Sequence, residues 1–434
     1  MTWNKIESAR REDIEKVQLS RLKDTVERVY SLTPFYKEKF DESNLKPEDI
    51  TSLDDISKLP FTTKKDLRAH YPFGLFTVPM NEVVRVHSSS GTTGKPTVVG
   101  YTKADMDIWD EVMARVFTMA GATSEDIVHN GYGYGLFTGG LGFHNGAEKI
   151  GATIIPASGG MTDRQLMLMR DFGATILAAT PSFSLHMAEV AKKTGSNYLK
   201  DYKLKAGIFG AEPTSSGLKK EVSEAWGIDY HEVYGLSEII GPGIGCNCKE
   251  SELLHVFEDH FYFEIIDSQT GEVKPEGERG ELVITPLTKQ ALPLLRYRTG
   301  DITSITKEPC KCGRTMLRME SIIGRADDML IISGVNVYPS QIEHVIANTE
   351  GVTLNYQIIA EKKGHLDKLE IHVEVSDDIM SDSLGEMAII KKNIQSALLN
   401  NLYINANVIL VQPRSLARSE GKAIRIIDKR KENV

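Results

Sequence analysis

Four cysteines among 434 residues are too few for a disulfide scaffold and fit a reducing, cytoplasmic setting. No stretch reads as a membrane span. The longest uncharged stretches, such as Asn130–Ala147, are broken by glycines and fall short of roughly 20 consecutive apolar residues. The first sixteen residues are charged throughout and offer no apolar segment for a cleavable signal. An excess of basic charge is missing too. Lys and Arg number 51 against 60 Asp and Glu, for a formal charge of −9, which argues against a nucleic-acid or anionic-membrane partner while permitting a local phosphate site. Gly and Pro stand at 36 and 16, far below collagenous or low-complexity levels. What remains is ordinary globular composition, 41% hydrophobic and 26% charged. A chain of this length can bury a sizeable core in two or three domains.

The order of patterns sets the fold class. Residues 1–75 read as charged helices, with Thr63 as an N-cap and Asp66 three positions on. Beyond residue 83, short β-rich runs (Val83–Val86, Asp126–His129, Ala152–Pro156, Thr175–Ala179, Ala206–Phe209, Tyr230–Val233) alternate with helix-length segments. These segments include Lys103–Met119, Asp163–Phe172, Phe183–Lys193 and Ser215–Trp226. Such alternation predicts a largely parallel sheet flanked by helices. Phe261–Asp267 and Gly280–Thr285 flank a turn signal and predict antiparallel strands. The last part, from Ser340, predicts helix, strand, strand, helix, strand. The expected architecture is α/β: a large domain, 1–326, with mostly parallel sheets and an antiparallel region, and a small mobile α+β domain, 327–434. The boundary falls in the polar segment Gly324-Arg325-Ala326-Asp327-Asp328.

Ser88-Ser89-Ser90-Gly91-Thr92-Thr93-Gly94-Lys95 follows a predicted strand. Small hydroxyl residues and glycines let backbone N–H groups converge on phosphate oxygens, and Lys95 adds a mobile cation. It is not a Walker loop, because Ser89 replaces the first glycine and Pro96 the Ser/Thr. Residues 131–136 lack the third glycine of a dinucleotide fingerprint.

The Ser88–Pro96 segment resembles the phosphate loop of the adenylate-forming superfamily, and further segments in the same order resemble its other motifs. Gly210-Ala211-Glu212-Pro213 looks like the adenine-binding turn, and Tyr234-Gly235-Leu236-Ser237-Glu238 like the Tyr-Gly-x-Ser/Thr-Glu motif. Tyr297-Arg298-Thr299-Gly300-Asp301 is similar to the ribose motif. Arg325 and Asp327, followed by Gly334-Val335-Asn336-Val337-Tyr338, resemble the hinge and the loop after it, and Gly421-Lys422 the mobile catalytic lysine. Within the superfamily, Phe61–Leu67, Tyr71–Leu75, Gly133–Gly142 and Glu258–Phe261 resemble phenylacetate–CoA ligases. Thr214 departs from the pattern, standing where an aromatic residue is expected.

The resemblance implies an ATP-dependent aryl-acid–CoA ligase, with phenylacetate the leading acid, working through an acyl-adenylate. A carboxylate resists thiols because it is anionic and lacks a leaving group; adenylation supplies one, and the thiolate of CoA then displaces AMP. Negative charge crowds the adenylation transition state, so cations must surround it. On this reading Lys422 bridges the carboxylate and the α-phosphate, and Lys95 holds the β- and γ-phosphates. Glu238 anchors Mg²⁺, Ser237 lies near the α-phosphate, and Arg325 fixes ribose or α-phosphate. Asp301 offers two acceptors to the ribose hydroxyls. The residues from Ser88 to Lys95, the Gly210–Pro213 turn, His231, Glu232, Tyr234 and Gly235 complete the nucleotide site. Tyr134, Phe137, Ile239 and Pro242 are candidates for the aryl pocket. Gly334, Val335, Asn336 and Tyr338 would line the CoA channel, with Asp327 as hinge, and the amino-terminal helices would offer a homodimer surface. An adenylyltransferase that acts on a deazaflavin or other acceptor without CoA stays open, as does a non-catalytic nucleotide-binding regulator.

Cys246-Asn247-Cys248 and Cys310-Lys311-Cys312 are two short thiol pairs with His255 between them. Such a set can hold tetrahedral Zn²⁺, and free thiols or a redox pair are the alternatives. Similarity to the ligase subgroup implies Cys248, His255, Cys310 and Cys312 as the ligands of a structural zinc, leaving Cys246 over.

Overall fold

The structure, a computed structural model, describes residues 2–89, 96–136, 138–196, 198–326, 330–332, 335–363, 366–377, 379, 384–402, 404–417 and 425–431. Contacts divide the chain into two compact units. The first comprises Met1–Ala179, Leu199–Ala211 and Gly227–Ser321; the second comprises Thr180–Tyr198, Glu212–Trp226 and Ile322–Val434.

Among the described residues, the first unit is built on a nine-stranded sheet. Thr153–Ile155, Ile127–Asn130, Ile176–Ala179, Ala206–Phe209 and Asp229–Leu236 lie side by side and parallel. Ile176–Ala179 and Ala206–Phe209 are buried at every position, as strands covered on both faces must be. The sheet then turns antiparallel through Ile240–Asn247, Leu254–Val256, Arg318–Met319 and Ile305–Thr306. A separate antiparallel sheet joins Phe261–Ile266, Gly280–Pro286 and Tyr297–Thr303. The hairpin of Arg85–Ser88 with Val98–Tyr101 stands apart from both.

Helices Lys103–Met119 and Gly139–Lys149 pack on each other and on the Ile240–Asn247 strand. Glycines set the closeness of that packing. A Cβ at Gly146 would lie 2.4 Å from Met113 Cβ, and one at Gly142 would lie 2.8 Å from the Trp109 ring. The amino-terminal helix Arg11–Leu32 docks through charge as well as apolar burial. Arg11 forms an ion pair of 2.6 Å with buried Glu258, and buried Asp259 takes Arg115 at 2.7 Å and Arg21 at 3.5 Å. Buried carboxylates of this kind persist only when paired. No described helix is long and apolar enough to cross a membrane.

In the second unit, Ala406–Val411, Leu366–Val375, Val352–Lys363 and Ile426–Asp428 form a sheet in that order. Helices Pro339–Ala347 and Leu384–Leu402 pack against it. A short hairpin, Leu330–Ile332 with Val335–Val337, precedes them. Helix Ser216–Trp226 approaches Pro339–Ala347 so closely that a Cβ at Gly217 would stand 2.6 Å from Ala347 Cβ.

Candidate active site

Ser88, the first residue of the phosphate-loop motif, pairs with Val98 in the hairpin of Arg85–Ser88 with Val98–Tyr101. Ser90, Gly91, Thr92, Thr93, Gly94 and Lys95 lie outside the described residues. The hairpin's base is closed by Ser89 N–H donating to the Thr97 carbonyl and Thr97 N–H donating to Ser89 Oγ, each at 3.0 Å. The Thr97 hydroxyl stands 2.7 Å from Ser89 Oγ and 3.2 Å from Glu238 Oε1. Glu238, buried at 6% exposure, lies in the turn between Asp229–Leu236 and Ile240–Asn247. Lys64 Nζ reaches the same carboxylate oxygen at 3.4 Å. Lys64 opens the helix Lys64–Ala69, whose N-cap is the Thr63 and Asp66 capping box read from the sequence. Two motifs about 140 residues apart thus share one hydrogen bond, that from Thr97 to Glu238.

A second link joins the Tyr-Gly and ribose motifs. Tyr234 Oη donates to Asp301 Oδ2 at 2.6 Å, and the Thr299 hydroxyl accepts from Asp301 N–H at 3.0 Å. His231 and Glu232 share the Tyr234 strand and turn to their neighbours. His231 Nδ1 lies 3.2 Å from the Asn247 carbonyl, and burial holds its imidazole below the ordinary pKa. Glu232 accepts from the Ser321 hydroxyl at 2.6 Å. Gly210 N–H donates to Tyr132 Oη at 2.8 Å, and a Cβ there would meet the Val233 carbonyl at 2.5 Å. Ala211 follows in the left-handed region, φ 70°. Ser237 belongs to the Glu238 turn, and Gly235, on the strand before it, is packed against Ile240 and Pro242.

Of the aryl-pocket candidates, Tyr134 Oη accepts from Asn130 Nδ2 at 2.7 Å, Ile239 is fully buried, and the Pro242 carbonyl accepts from Trp109. Phe137 lies outside the described residues.

In the second unit, Glu212 Oε2 accepts from the Ser182 hydroxyl at 2.5 Å, while Oε1 is buried with no hydrogen-bond partner among the described residues. Burial raises this carboxyl's pKa, opposed by Ser182 and the Arg425 charge. Pro213 and Thr214 continue the turn, with the Thr214 hydroxyl on the Glu212 carbonyl at 3.2 Å. Arg425 is the hub here: it ion-pairs with Glu343 and donates to Tyr356 Oη and Ser182 Oγ at 3.3 Å each. Arg325 lies in the short strand Gly324–Arg325, and the Tyr338 ring packs against Gly324, where a Cβ would stand at 2.6 Å. Val335 and Asn336 fall on the strand facing Leu330–Ile332. Asp327, Gly334 and Lys422 lie outside the described residues.

Strand pairing also assembles the cysteine cluster. His255 pairs with Arg318 on one side and with Cys246 on the other, which brings Cys248 and the 310–312 turn to it. The ligand atoms of Cys248, His255, Cys310 and Cys312 lie within 4.8 Å of one another. Individual separations are 3.3 Å for His255 Nε2 to Cys248 Sγ, 3.5 Å for His255 Nε2 to Cys312 Sγ, and 3.7 Å between the Cys248 and Cys310 sulfurs. Burial, helped by Arg314 and Arg318, pushes the His255 imidazole pKa down to about 3 and keeps it neutral. Cys246 is buried beside the cluster, its thiol donating to the Asn247 carbonyl at 3.4 Å.

Residues 9–286 match the AMP-binding enzyme family and residues 334–430 the AMP-binding enzyme C-terminal domain. A phenylacetate–coenzyme A ligase of Thermus thermophilus is 47% identical over 98% of this chain and 99% of its own. That of Escherichia coli is 44% identical over 98% and 97%. The chain belongs to the AMP-binding enzymes, in the phenylacetate–CoA ligase group. A 2-hydroxyisobutyryl-CoA ligase solved in the postadenylation state with 2-HIB-AMP is 29% identical, with TM-score 0.93 over 99% of this chain and 92% of that one. The same ligase in its thioesterification state, with CoA, gives 0.73 at 30% identity, over 98% and 92%.

The pairings of Thr97, Lys64 and Arg425 escape the family motifs. Each is a single polar residue whose partner comes from a distant segment, so only folding reveals the contact. Tyr234→Phe is expected to raise the KM for ATP about fivefold with kcat little changed, since it removes one hydrogen bond that orients Asp301. Steady-state kinetics with ATP varied measure this; an unchanged KM would detach the pair from nucleotide binding.

Proposed function

We propose that this member of the family is an acid–thiol ligase that joins phenylacetate, or a related aryl acid, to coenzyme A at the expense of ATP, giving AMP and pyrophosphate. The observation that carries this reading is the meeting of Ser89, Thr97, Lys64 and Glu238, which sets a phosphate hairpin against a buried carboxylate. The near full-length likeness to phenylacetate–CoA ligases supports the choice of acid and thiol.

In this scheme Lys95 and the hydroxyls of residues 88–93 hold the β- and γ-phosphates, and Asp301, oriented by Tyr234, takes the ribose hydroxyls. Lys422 brings the acid's carboxylate onto the α-phosphate, and Arg325 steadies ribose or α-phosphate. Glu238 would hold Mg²⁺, which when bound supplies charge neutralisation to the phosphates. Its burial beside a hydroxyl and a lysine leaves it a fixed hard oxygen donor suited to that ion. For the second half-reaction, rotation about Asp327 would withdraw Lys422 and present Gly334, Val335, Asn336 and Tyr338 to CoA. Ile239, Pro242, Tyr134 and Phe137 would contact the aryl ring. We also propose structural Zn²⁺ on Cys248, His255, Cys310 and Cys312. Tetrahedral bonds of about 2.3 Å to sulfur and 2.0–2.1 Å to nitrogen put neighbouring ligands roughly 3.5–3.8 Å apart, close to the separations present here.

The test is AMP formation measured across aryl and aliphatic acids, with and without CoA. Turnover that needs both an aryl acid and CoA is expected. AMP transfer to an acceptor without CoA would instead mark an adenylyltransferase, and no acid-dependent pyrophosphate release at all would mark a regulator.

A further inference from the structure

Lys289 is a buried lysine that the scheme above leaves unused. It is 4% exposed, and its Nζ donates to the Ile239 carbonyl at 2.9 Å while standing 3.5 Å from the centre of the Tyr101 ring. Ile239 directly follows Glu238. Tyr101 stacks on Trp109 with 4.9 Å between centroids, and the Trp109 indole N–H donates to the Pro242 carbonyl at 2.8 Å. The carbonyls of residues 239 and 242, which follow Glu238 in the chain, are therefore each gripped by a buried side chain, and the two grips touch through stacked rings.

The backing of this clasp is itself fixed. Asp105 accepts from the N–H groups of Gln290 and Ala291 at 2.6 and 2.9 Å, which holds the segment carrying Lys289 against the helix Lys103–Met119. His87 sets its ring edge-on to both Tyr101 and Trp109 at 5.7 Å and lies 3.0 Å, through Nδ1, from the Leu136 carbonyl. Asp105 is the carboxylate whose charge favours the ammonium, and it makes no hydrogen bond to Lys289 among the described residues. Burial drives the Lys289 pKa down to about 7. A lysine kept at that cost for one carbonyl contact and a ring face is poorly explained by packing, since Met or Leu would fill the space without desolvating an ammonium.

We infer that Lys289 is a positioning residue for adenylation: by gripping the Ile239 carbonyl against the Tyr101–Trp109 stack, it sets where the Glu238 carboxylate points. Glu238 has the phosphate hairpin on one side, through Thr97, and the clasp behind its turn. Release of the clasp would let the turn relax, and the carboxylate would then meet the metal–nucleotide complex off its intended direction. The inference rests on the reading of Glu238 as the Mg²⁺ carboxylate, and the experiment separates the two.

The full-length enzyme carrying Lys289→Met is assayed for phenylacetate-dependent pyrophosphate release while MgCl₂ is varied, and for thioester formation from supplied phenylacetyl-adenylate and CoA. The expected result is about a tenfold rise in the Mg²⁺ needed for half-maximal adenylation and about a tenfold fall in its kcat. Thioester formation should stay within about twofold of wild type, and Lys289→Arg should recover part of the loss. Trp109→Phe keeps the ring stack but drops the donor to Pro242, so it should show the same Mg²⁺ shift at smaller size and serves if Lys289→Met does not fold. An unchanged Mg²⁺ requirement in these variants, or equal loss of both half-reactions, overturns the inference while Glu238→Gln still abolishes adenylation. Full adenylation by Glu238→Gln overturns the reading beneath it, and the inference with it.

Discussion

Lys422→Ala should lose pyrophosphate release by about 10²–10³, equivalent to about 2.7–4 kcal/mol of transition-state stabilisation, and keep thioester formation from supplied acyl-adenylate. The asymmetry follows from charge. In adenylation an anionic carboxylate attacks an anionic phosphate, and a cation bridging the two is worth most when they are closest. In thioester formation the nucleophile is a thiolate, the electrophile is a mixed anhydride and AMP departs as a competent leaving group, so that cation is not needed. The measurement is paired: pyrophosphate release from acid and ATP, then CoA ester from preformed adenylate. Equal loss in both assays would remove Lys422 from its assigned role and with it the reason for a hinge at Asp327. Arg425, three residues on, is bonded to Glu343, Tyr356 and Ser182.

Removal of the proposed Zn²⁺ is expected to cost about 4 kcal/mol, the linkage value for a site held at a thousand times its dissociation constant. At roughly 2–4 °C per kcal/mol this lowers Tm by about 8–16 °C. The consequences should reach the amino terminus. Arg314 lies 3.7 Å from Cys312 Sγ and forms a 2.7 Å ion pair with buried Glu7, while Thr315 N–H donates to the Glu7 carbonyl and its hydroxyl to that of Ala9. A chelated sample should therefore become sensitive to proteases near residues 4–9 as well as near 310–315. His255→Ala should match the chelated wild type and respond no further to chelator. Metal analysis giving about one zinc per chain is expected for protein purified without added metal. A well-folded, zinc-free chain with unchanged Tm would leave Cys248, Cys310 and Cys312 as free thiols beside the His255 imidazole.

The parallel strands were legible because fully covered strands need uninterrupted apolar residues, as in Ile176–Ala179 and Ala206–Phe209. Helices Lys103–Met119 and Pro181–Lys193, the second from Phe183 onward, were legible as helix-length segments between short β-rich runs. Two kinds of element escaped. The helix Gly139–Lys149 and the strand Ile240–Asn247 are rich in glycine, which reads as a loop. Here glycine answers a tertiary demand: Gly146 admits Met113, and Gly245 lets the His255 carbonyl within 2.8 Å of where a Cβ would be. Strands such as Arg318–Met319 and Ile426–Asp428 are too short to carry a period. At the site, Glu238 and Asp301 were visible because the segments that carry them, Tyr234–Glu238 and Tyr297–Asp301, resemble family motifs. Lys289 was not, nor were the contacts of Lys64 and Thr97 with Glu238, because each joins partners remote in the chain.

The most direct test of the whole account is product stoichiometry from phenylacetate, ATP and CoA with the purified chain. Phenylacetyl-CoA, AMP and pyrophosphate in equal amounts, with no AMP retained on any product when CoA is present, is the predicted result. ADP and phosphate, or an AMP-bearing product that CoA does not discharge, would contradict it.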